Sequence, residues 1–207
     1  MAAQRFPADF DGIIAGAPAL DYTGLVATHG AWVTQANLRP DGTEILDRSK
    51  VALIAAAVVD ACDARDGRTD GLIDNPCACE WQPIRLACGT EAASTCLTAE
   101  EFGVLQKWYA GPRDRSGRQL YPGGIPRGSE PYWPLWLTGK PGDRVPGLVP
   151  LFAQDFLRYM AFAEDPGESY RVQDFDFERD PPRLARMATI YNADNPDLSA
   201  FAQRGAS

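Results

Sequence analysis

Histidine is almost absent from this chain, since its 207 residues contain only His29. A hydrolytic Ser-His-Asp triad needs a histidine base, so His29 would have to serve in any triad built here. The sequence has no G-x-S-x-G turn, and Ser129 and Ser199 lie in a Pro/Gly-rich segment and in a predicted helix. We therefore expect no catalytic residue in this sequence and interpret His29 as a packed residue on an apolar helix face.

The chain also lacks an excess of positive charge. Lys and Arg number 20 against 28 Asp and Glu, which gives a formal net charge of -8 at pH 7. Nucleic-acid binding draws on basic patches, so we expect no nucleic-acid partner. The sequence has no apolar run of membrane-spanning length, no signal-peptide pattern at its N-terminus and no G-x-G-x-x-G phosphate loop. We expect no membrane partner.

A hydrophobic content of 45% is enough for a buried core and predicts one or two folded domains. Apolar residues recur at helical spacing along much of the chain. Thr98 and Glu101 form a predicted capping box, and Asp180 is expected to cap a helix that begins at Pro181. The predicted helices cover residues 1–6, 22–38, 49–62, 98–110, 151–162, a stretch from Pro181 onwards, and 197–204.

Two short stretches predict β structure. Residues 11–16 (DGIIAG) are apolar and closed by Gly16 and Pro18, which is typical of a strand buried in a parallel sheet. One strand cannot form a sheet, so its neighbours must lie elsewhere in the chain or outside it. In residues 174–177 (DFDF) acidic and aromatic residues alternate, which favours a strand with one solvated face over paired catalytic carboxylates.

All the cysteines lie between Cys62 and Cys96, and there are five of them. This density predicts local disulfide bonds in an oxidising compartment, with one cysteine left over. A zinc site is the competing interpretation. It is disfavoured because Cys77 and Cys79 lack the C-x-x-C spacing and no histidine lies near them.

The segment of residues 62–76 (CDARDGRTDGLIDNP) concentrates aspartates around two Asp-Gly steps. The glycines disfavour a helix, so we expect a loop. Converging carboxylates are costly unless a cation neutralises them, and Ca²⁺ takes about six to eight oxygen ligands from Asp side chains and backbone carbonyls. The natural side-chain ligands are Asp63, Asp66 and Asp70. A solvated acidic turn is the other interpretation, and the spacing is not that of an EF-hand.

Residues 111–150 are rich in Gly and Pro, yet they also contain Tyr121, Tyr132, Trp133 and Trp136. The Gly and Pro content opposes regular structure, whereas the aromatic residues argue against disorder. Two interpretations remain open. The segment is either a lid over a ligand or an ordinary loop whose aromatic side chains dock on the core.

Several longer motifs resemble one known family. AAQRFPADFDGIIAGAPA, CDARDGRTDGLIDNP, CLTAEE followed by AGPRD, and NPDLSAFAQRG occur in this order in the tannase and feruloyl esterase family. The resemblance implies an α/β hydrolase fragment, with one core strand and helix plus a mainly helical, loop-rich lid domain. Residues 1–21 would belong to the hydrolase core, residues 22–190 to the lid, and residues 191–207 would return towards the core.

The resemblance also implies a structural calcium ion in the lid. Its ligands would be side chains and backbone carbonyls that alternate along the aspartate-rich segment, namely the side chains of Asp63, Asp66 and Asp70 and the carbonyls of Arg68 and Leu72.

Disulfide pairing is implied by the same resemblance. Cys62 would pair with Cys79 and Cys88 with Cys96, which leaves Cys77 as the odd cysteine.

Substrate contacts are implied for Tyr22, just after the G-A-P turn, and for the lid aromatics Trp133 and Trp136. The family's nucleophilic Ser would precede Met1, and its Asp and His would follow Ser207. Met1 is therefore interpreted as an internal methionine, and the missing hydrolase core segments are expected partners.

The implied function is the lid-bearing part of a secreted or periplasmic carboxylic ester hydrolase. The intact enzyme would cleave aromatic esters, such as feruloyl, galloyl or terephthalate esters, by Ser-His-Asp acyl transfer, and this chain alone is predicted to be inactive. Two alternatives stand beside it. One is a calcium-stabilised module that binds phenolic ligands without chemistry, and the other is an inactive truncated product.

Overall fold

The computed structural model describes residues 1–89, 93–139 and 147–205, and over these the chain is mainly helical. The α-helices are α1 (Ala2–Arg5), α2 (Gly30–Ala36), α3 (Val51–Cys62), α4 (Ala99–Ala110), α5 (Trp133–Trp136), α6 (Leu148–Tyr159), α7 (Ala185–Tyr191) and α8 (Ser199–Ala202). A π-helical stretch, Gly24–His29, leads directly into α2. Short 3₁₀ helices occupy Arg48–Lys50, Asp63–Asp66, Pro76–Ala78, Pro83–Leu86, Ala93–Thr95, Glu130–Tyr132, Val172–Asp174 and Pro181–Leu184.

β structure within the described ranges is limited to isolated bridges that pair Leu38 with Glu44, Ala87 with Leu97, and Arg113 with Gln119. The mainly helical part of the expected fold class is therefore present, whereas a hydrolase sheet is not formed by these residues. No helix in the described part of the chain is both long enough and apolar enough to span a bilayer.

Two apolar clusters make up the interior of the described ranges, and the helical stretch of residues 24–36 contributes to both. Its Val33 and Ala36 belong to the first cluster, which is built mainly on α3 and α4 and includes Ile54, Leu105, Trp108 and Trp133. Its Ala27 and Ala31 belong to the second cluster, which is built on α6 and includes Ala153, Phe156, Leu157, Phe175 and Leu184. One helical segment thus joins the two interiors.

Close packing holds α2 between α4 and α6. The indole N–H of Trp32 donates to the Lys107 carbonyl at 2.8 Å, and that of Trp108 donates to the Val33 carbonyl at 2.9 Å. These bonds satisfy the polar atoms of two large side chains at the helix interface. On the other side, a Cβ atom added to Gly30 would come within 2.9 Å of the Ala153 Cβ, so the absence of a side chain lets α2 and α6 approach.

The helix predictions are confirmed in their main features. The Glu101 amide donates to the Thr98 hydroxyl at 3.3 Å, and the Glu101 carboxylate accepts from the Thr98 amide at 2.8 Å, which is the predicted capping box. Helix α4 then ends at Gly111, whose φ of 73° lies in the left-handed region that favours glycine. Helix α6 begins at Leu148, earlier than predicted.

Neither predicted strand forms in the part of the chain that the structure describes. Residues 11–16 have no β partner there, and the Ile14 side chain is fully exposed at 101%. An apolar strand is stabilised only by neighbours, which this segment lacks among the described residues. In residues 174–177 the Asp174 and Asp176 carboxylates accept from the Arg171 and Glu178 amides, each at 2.8 Å, and these local bonds favour turns over a strand.

Asp180 lies at the N-cap position of a 3₁₀ helix that begins at Pro181, as predicted, but its side chain accepts no capping bond there. The Asp180 side chain is fully buried and forms ion pairs with Arg179 at 2.9 Å and Arg183 at 2.6 Å. Burial alone would raise the pKa of this carboxyl, but hydrogen bonds from Arg179, the Asp176 amide and Arg183 lower it to about 2. The Asp180 carboxylate stays charged in the interior because two guanidinium groups neutralise it.

The first and last described segments lie side by side. The Ala193 amide donates to the Leu20 carbonyl at 2.7 Å, and Asn192 bonds both the Asp21 carboxylate and the Thr23 amide. Helices α1 and α8 are also in contact. The two ends of residues 22–190 therefore lie next to each other.

Candidate functional site

The aspartate loop, residues 62–76, follows α3 without a break. Asp63–Asp66 form a 3₁₀ turn, after which Gly67 and Gly71 adopt φ values of 91° and 80°. Left-handed conformations of this kind are accessible to glycine at little cost. The two Asp-Gly steps thus produce the predicted loop and curl the chain back towards Asp63.

Asp63 lies at the centre of this curl and is only 6% exposed. Its carboxylate accepts from the Asp70 amide at 3.3 Å and from the Gly71 amide at 3.1 and 3.2 Å. Asp66 and Asp70 act more locally, because their carboxylates accept from the amides two residues later, at 2.9 and 3.1 Å. These are the bonds of Asx turns.

The donor chemistry of the loop fits a hard cation, because the loop offers carboxylate and carbonyl oxygens and buries one of its acids. None of the ion pairs in the described ranges involves Asp63, Asp66 or Asp70. The same ranges contain no group of three or more acidic, His or Cys side chains gathered as a metal site. Calcium binding through the side chains of Asp63, Asp66 and Asp70 and the carbonyls of Arg68 and Leu72 stays a prediction.

Two disulfide bonds stabilise this region. Cys62 is bonded to Cys79, with Cα atoms 5.5 Å apart, so the bond joins the start of the aspartate loop to the segment that follows it. Cys88 is bonded to Cys96, with Cα atoms 4.9 Å apart. These are the pairs that the family resemblance implies, and Cys77 is free and exposed.

The residues implied as substrate contacts differ in exposure. Trp133 is 2% exposed, lies 5.1 Å from the Trp108 ring and donates its indole N–H to the Ser129 hydroxyl at 3.1 Å, so it is a core residue here. Tyr22 is partly buried, 5.3 Å from the Phe156 ring. Trp136 is 42% exposed. Of the three, Trp136 offers the most ring surface to a ligand or another protein segment.

Trp136 is not the only exposed apolar residue on α5 and α6. Leu135 lies beside it on α5, and α6, which packs against α5, exposes Leu151 and Phe152. A second exposed group, Phe6, Phe10, Ile13, Ile14 and Leu20, lies along the first segment. Where exposed apolar side chains form one patch, they mark a place where another molecule or segment binds.

His29 is buried, as predicted from its apolar helix face, and its ring lies 5.3 Å from that of Tyr121. Burial lowers the pKa of the imidazole to about 4, so the side chain is neutral at pH 7. Ser129, one of the serines considered as a nucleophile, is partly buried and donates its hydroxyl to the Pro126 carbonyl at 2.6 Å. The described contacts of both side chains are structural.

The sequence did not reveal the role of Glu130. This residue is fully buried, and its carboxylate accepts from the Tyr109 hydroxyl at 2.6 Å and from the Gly128 amide at 2.7 Å. Burial raises the pKa of Glu130, although these hydrogen bonds oppose the rise. The pair fastens the Pro/Gly-rich segment to α4. Within the described part of that segment Trp133 docks on the core, whereas Tyr132 and Trp136 are exposed. Residues 140–146 of the segment lie outside the described residues.

Comparison with known proteins gives one family. The model of the family described as "Tannase and feruloyl esterase" matches residues 1–207. The chain is 32% identical to an uncharacterised esterase of Xanthomonas campestris and 28% identical to a mono(2-hydroxyethyl) terephthalate hydrolase of Piscinibacter sakaiensis. Each match covers 99% of this chain, but only 36% and 41% of the respective relative. The chain thus spans well under half the length of these relatives.

The fold is also similar to part of a solved structure. The crystal structure of feruloyl esterase B from Aspergillus oryzae superposes with a TM-score of 0.77 at 25% identity, over 100% of this chain and 40% of that one. The arrangement of helices and loops described above therefore occurs within a larger esterase.

Proposed function

Because the chain belongs to the tannase and feruloyl esterase family, we propose that it is the lid-bearing part of a carboxylic ester hydrolase that cleaves aromatic esters. The observation that carries the proposal is the family match over residues 1–207, which account for about two fifths of the length of the relatives. Feruloyl, galloyl and terephthalate-like esters are the proposed substrate class.

The closeness of the two connections to residues 22–190 supports a lid inserted into a larger hydrolase. Leu20 and Ala193 are hydrogen-bonded at 2.7 Å, so both connections of residues 22–190 leave from one place. A domain inserted into another domain must begin and end at nearly the same place. Otherwise it would push apart the two elements of the host domain that it connects. The exposed apolar side chains of residues 6–20 would be covered by the hydrolase core segments.

Catalysis in the intact protein would be acyl transfer to a serine with histidine as base and a backbone oxyanion hole, all outside this chain. The residues of this chain would close the site and exclude water from it. Trp136 and Tyr22 are the proposed contacts to the aromatic part of the ester, and Trp133 would support Trp136 from the core.

A calcium ion in the aspartate loop would have a structural role. Held by the side chains of Asp63, Asp66 and Asp70 and the carbonyls of Arg68 and Leu72, it would neutralise the buried Asp63 carboxylate and fix the loop against α3. The two disulfide bonds support secretion or a periplasmic location, because such bonds persist in oxidising compartments.

The test compares the 207-residue chain with a longer protein translated from the surrounding gene. Both are assayed for hydrolysis of methyl ferulate and of a nitrophenyl ester. We expect no turnover by the chain alone and turnover by the longer protein that is lost when its triad serine is replaced. Turnover by the chain alone that disappears in a His29→Ala variant would contradict the proposal.

A further inference from the structure

A groove of about 300 Å³ lies between residues 113–115 and residues 175–178. This volume is at the lower end of the range of about 300–1,000 Å³ that is typical of small-molecule sites. The two segments are joined directly, because the Arg115 amide donates to the Glu178 carboxylate. The groove is therefore part of the folded chain and consists of residues that the chain itself supplies.

Aromatic rings line part of this groove. Phe175 is buried, whereas Phe177 is only partly buried and has surface to offer a ligand. The Phe177 ring lies 5.3 Å from the Phe175 ring and 5.2 Å from the Trp32 ring, both nearly perpendicular to it. These contacts fix the orientation of Phe177 before any ligand binds, which reduces the entropy that binding would cost.

The polar part of the lining carries both signs of charge. Arg113 and Arg115 bring two guanidinium groups, whereas Asp176 and Glu178 bring two carboxylates. Asp114 is already neutralised by Arg118, at 2.8 Å. The Asp176 and Glu178 carboxylates accept from backbone amides but keep their charge, since neither forms an ion pair among the described residues. An anionic ligand would face these two carboxylates, and a cationic ligand would face the two guanidinium groups, so the groove favours neither.

A neutral ligand with many hydroxyl groups matches this lining. A hydroxyl both donates and accepts, so it bonds carboxylates and guanidinium groups alike. The apolar C–H face of a sugar ring can pack on the exposed surface of Phe177. We propose that this groove binds a neutral sugar residue, a role that is separate from the proposed ester hydrolysis and does not need turnover.

The test uses the purified 207-residue chain, labelled with ¹⁵N, and titrates it with a neutral xylo-oligosaccharide. We expect saturable chemical-shift changes confined to the amides of residues 113–118 and 175–179, with a dissociation constant of about 1 mM or weaker. Ferulate serves as an anionic aromatic probe at the same concentrations. Shifts at these amides with ferulate but not with the oligosaccharide would overturn the proposal, as would no shifts with either.

Variants assign the binding to the groove. Phe177→Ala and Arg115→Gln should each weaken oligosaccharide binding by about tenfold or more. Tyr159→Ala removes an exposed aromatic ring at the end of α6 and is the matched control, with no expected change. Because Phe177 also packs on Trp32, the Arg115→Gln variant tests the groove without removing that contact. Unchanged affinity in both groove variants would refute the assignment.

Discussion

The side chain of Asn192 bridges to Asp21 and Thr23 across about 170 residues of sequence, donating to the Asp21 carboxylate at 2.8 Å and accepting from the Thr23 amide at 3.0 Å. This bridge holds the two connections of residues 22–190 together. We expect Asn192→Ala to lower the free energy of unfolding by about 1–3 kcal/mol, because partly buried groups lose their partners. Urea denaturation measures the change.

Two further variants make this prediction specific. Asn195→Ala removes an exposed amide in the same segment and should change stability by less than about 0.5 kcal/mol. Asn192→Asp keeps the acceptor for Thr23 but places a second carboxylate beside Asp21, so its stability should fall further as pH rises. Equal stability of Asn192→Ala and Asn195→Ala would contradict the bridging role.

Stability should fall as pH drops from 6.5 to 4, because burial lowers the pKa of His29 to about 4 in the folded chain. In this window the unfolded chain binds a proton at His29 and the folded chain does not. The contribution of neutral His29 is full above pH 6.5, and about 3 kcal/mol of it is lost by pH 4. Unfolding curves at several pH values measure this loss.

The control for the histidine prediction is His29→Gln, which cannot take up a proton. Glu44 and Glu130 have pKa values raised by burial, so their contribution has the opposite sign and is lost as pH rises. Glu44 and Glu130 are present in both the His29→Gln variant and the unchanged chain, so the difference between the stability profiles of these two proteins reports on His29 alone. Identical profiles for the variant and the unchanged chain would show that His29 does not titrate in this way.

Two glycine substitutions should have opposite effects on stability. Gly30→Ala would bring a methyl group within 2.9 Å of Ala153 and should destabilise the fold by about 1–3 kcal/mol. Gly103 lies inside α4 with no atom within 4 Å of the added Cβ, so Gly103→Ala should stabilise it by about 0.5–1 kcal/mol. Thermal unfolding measures both, and a stabilising Gly30→Ala would disprove the close packing of α2 and α6.

The calcium proposal predicts that chelation lowers the melting temperature. A cation present at about a hundred times its dissociation constant would raise it by about 5–10 °C, because it binds only the folded loop. Asp63→Asn should abolish this calcium-dependent shift, whereas Asp60→Asn, an exposed change on α3, should keep it. An unfolding curve that EDTA leaves unchanged would favour the solvated acidic turn.

The sequence predicted the features that depend on local rules. The capping box at Thr98 and the glycine turns of the aspartate loop follow from neighbouring residues, and the structure contains both. The burial of His29 followed from helical periodicity. The disulfide pairs were implied by family resemblance, and local spacing alone left the pairing open.

Features that depend on distant partners were not predictable in the same way. Asp180 precedes Pro181 like a cap, but two arginines that neutralise a buried carboxylate decide its conformation. The DFDF stretch alternates like a strand, yet its carboxylates bond nearby amides and its phenyl rings pack on Trp32 and on the α6 cluster. In both places a tertiary or side-chain interaction outweighs the local pattern.

The helical segment of residues 24–36 has a consequence for how the chain unfolds. Its first turns supply Ala27 and Ala31 to one interior, and its last turns supply Val33 and Ala36 to the other, so unfolding of this segment disturbs both interiors. Loss of that segment would expose both at once. The two halves should therefore melt in a single cooperative step, with tryptophan fluorescence and helical circular dichroism changing at the same temperature.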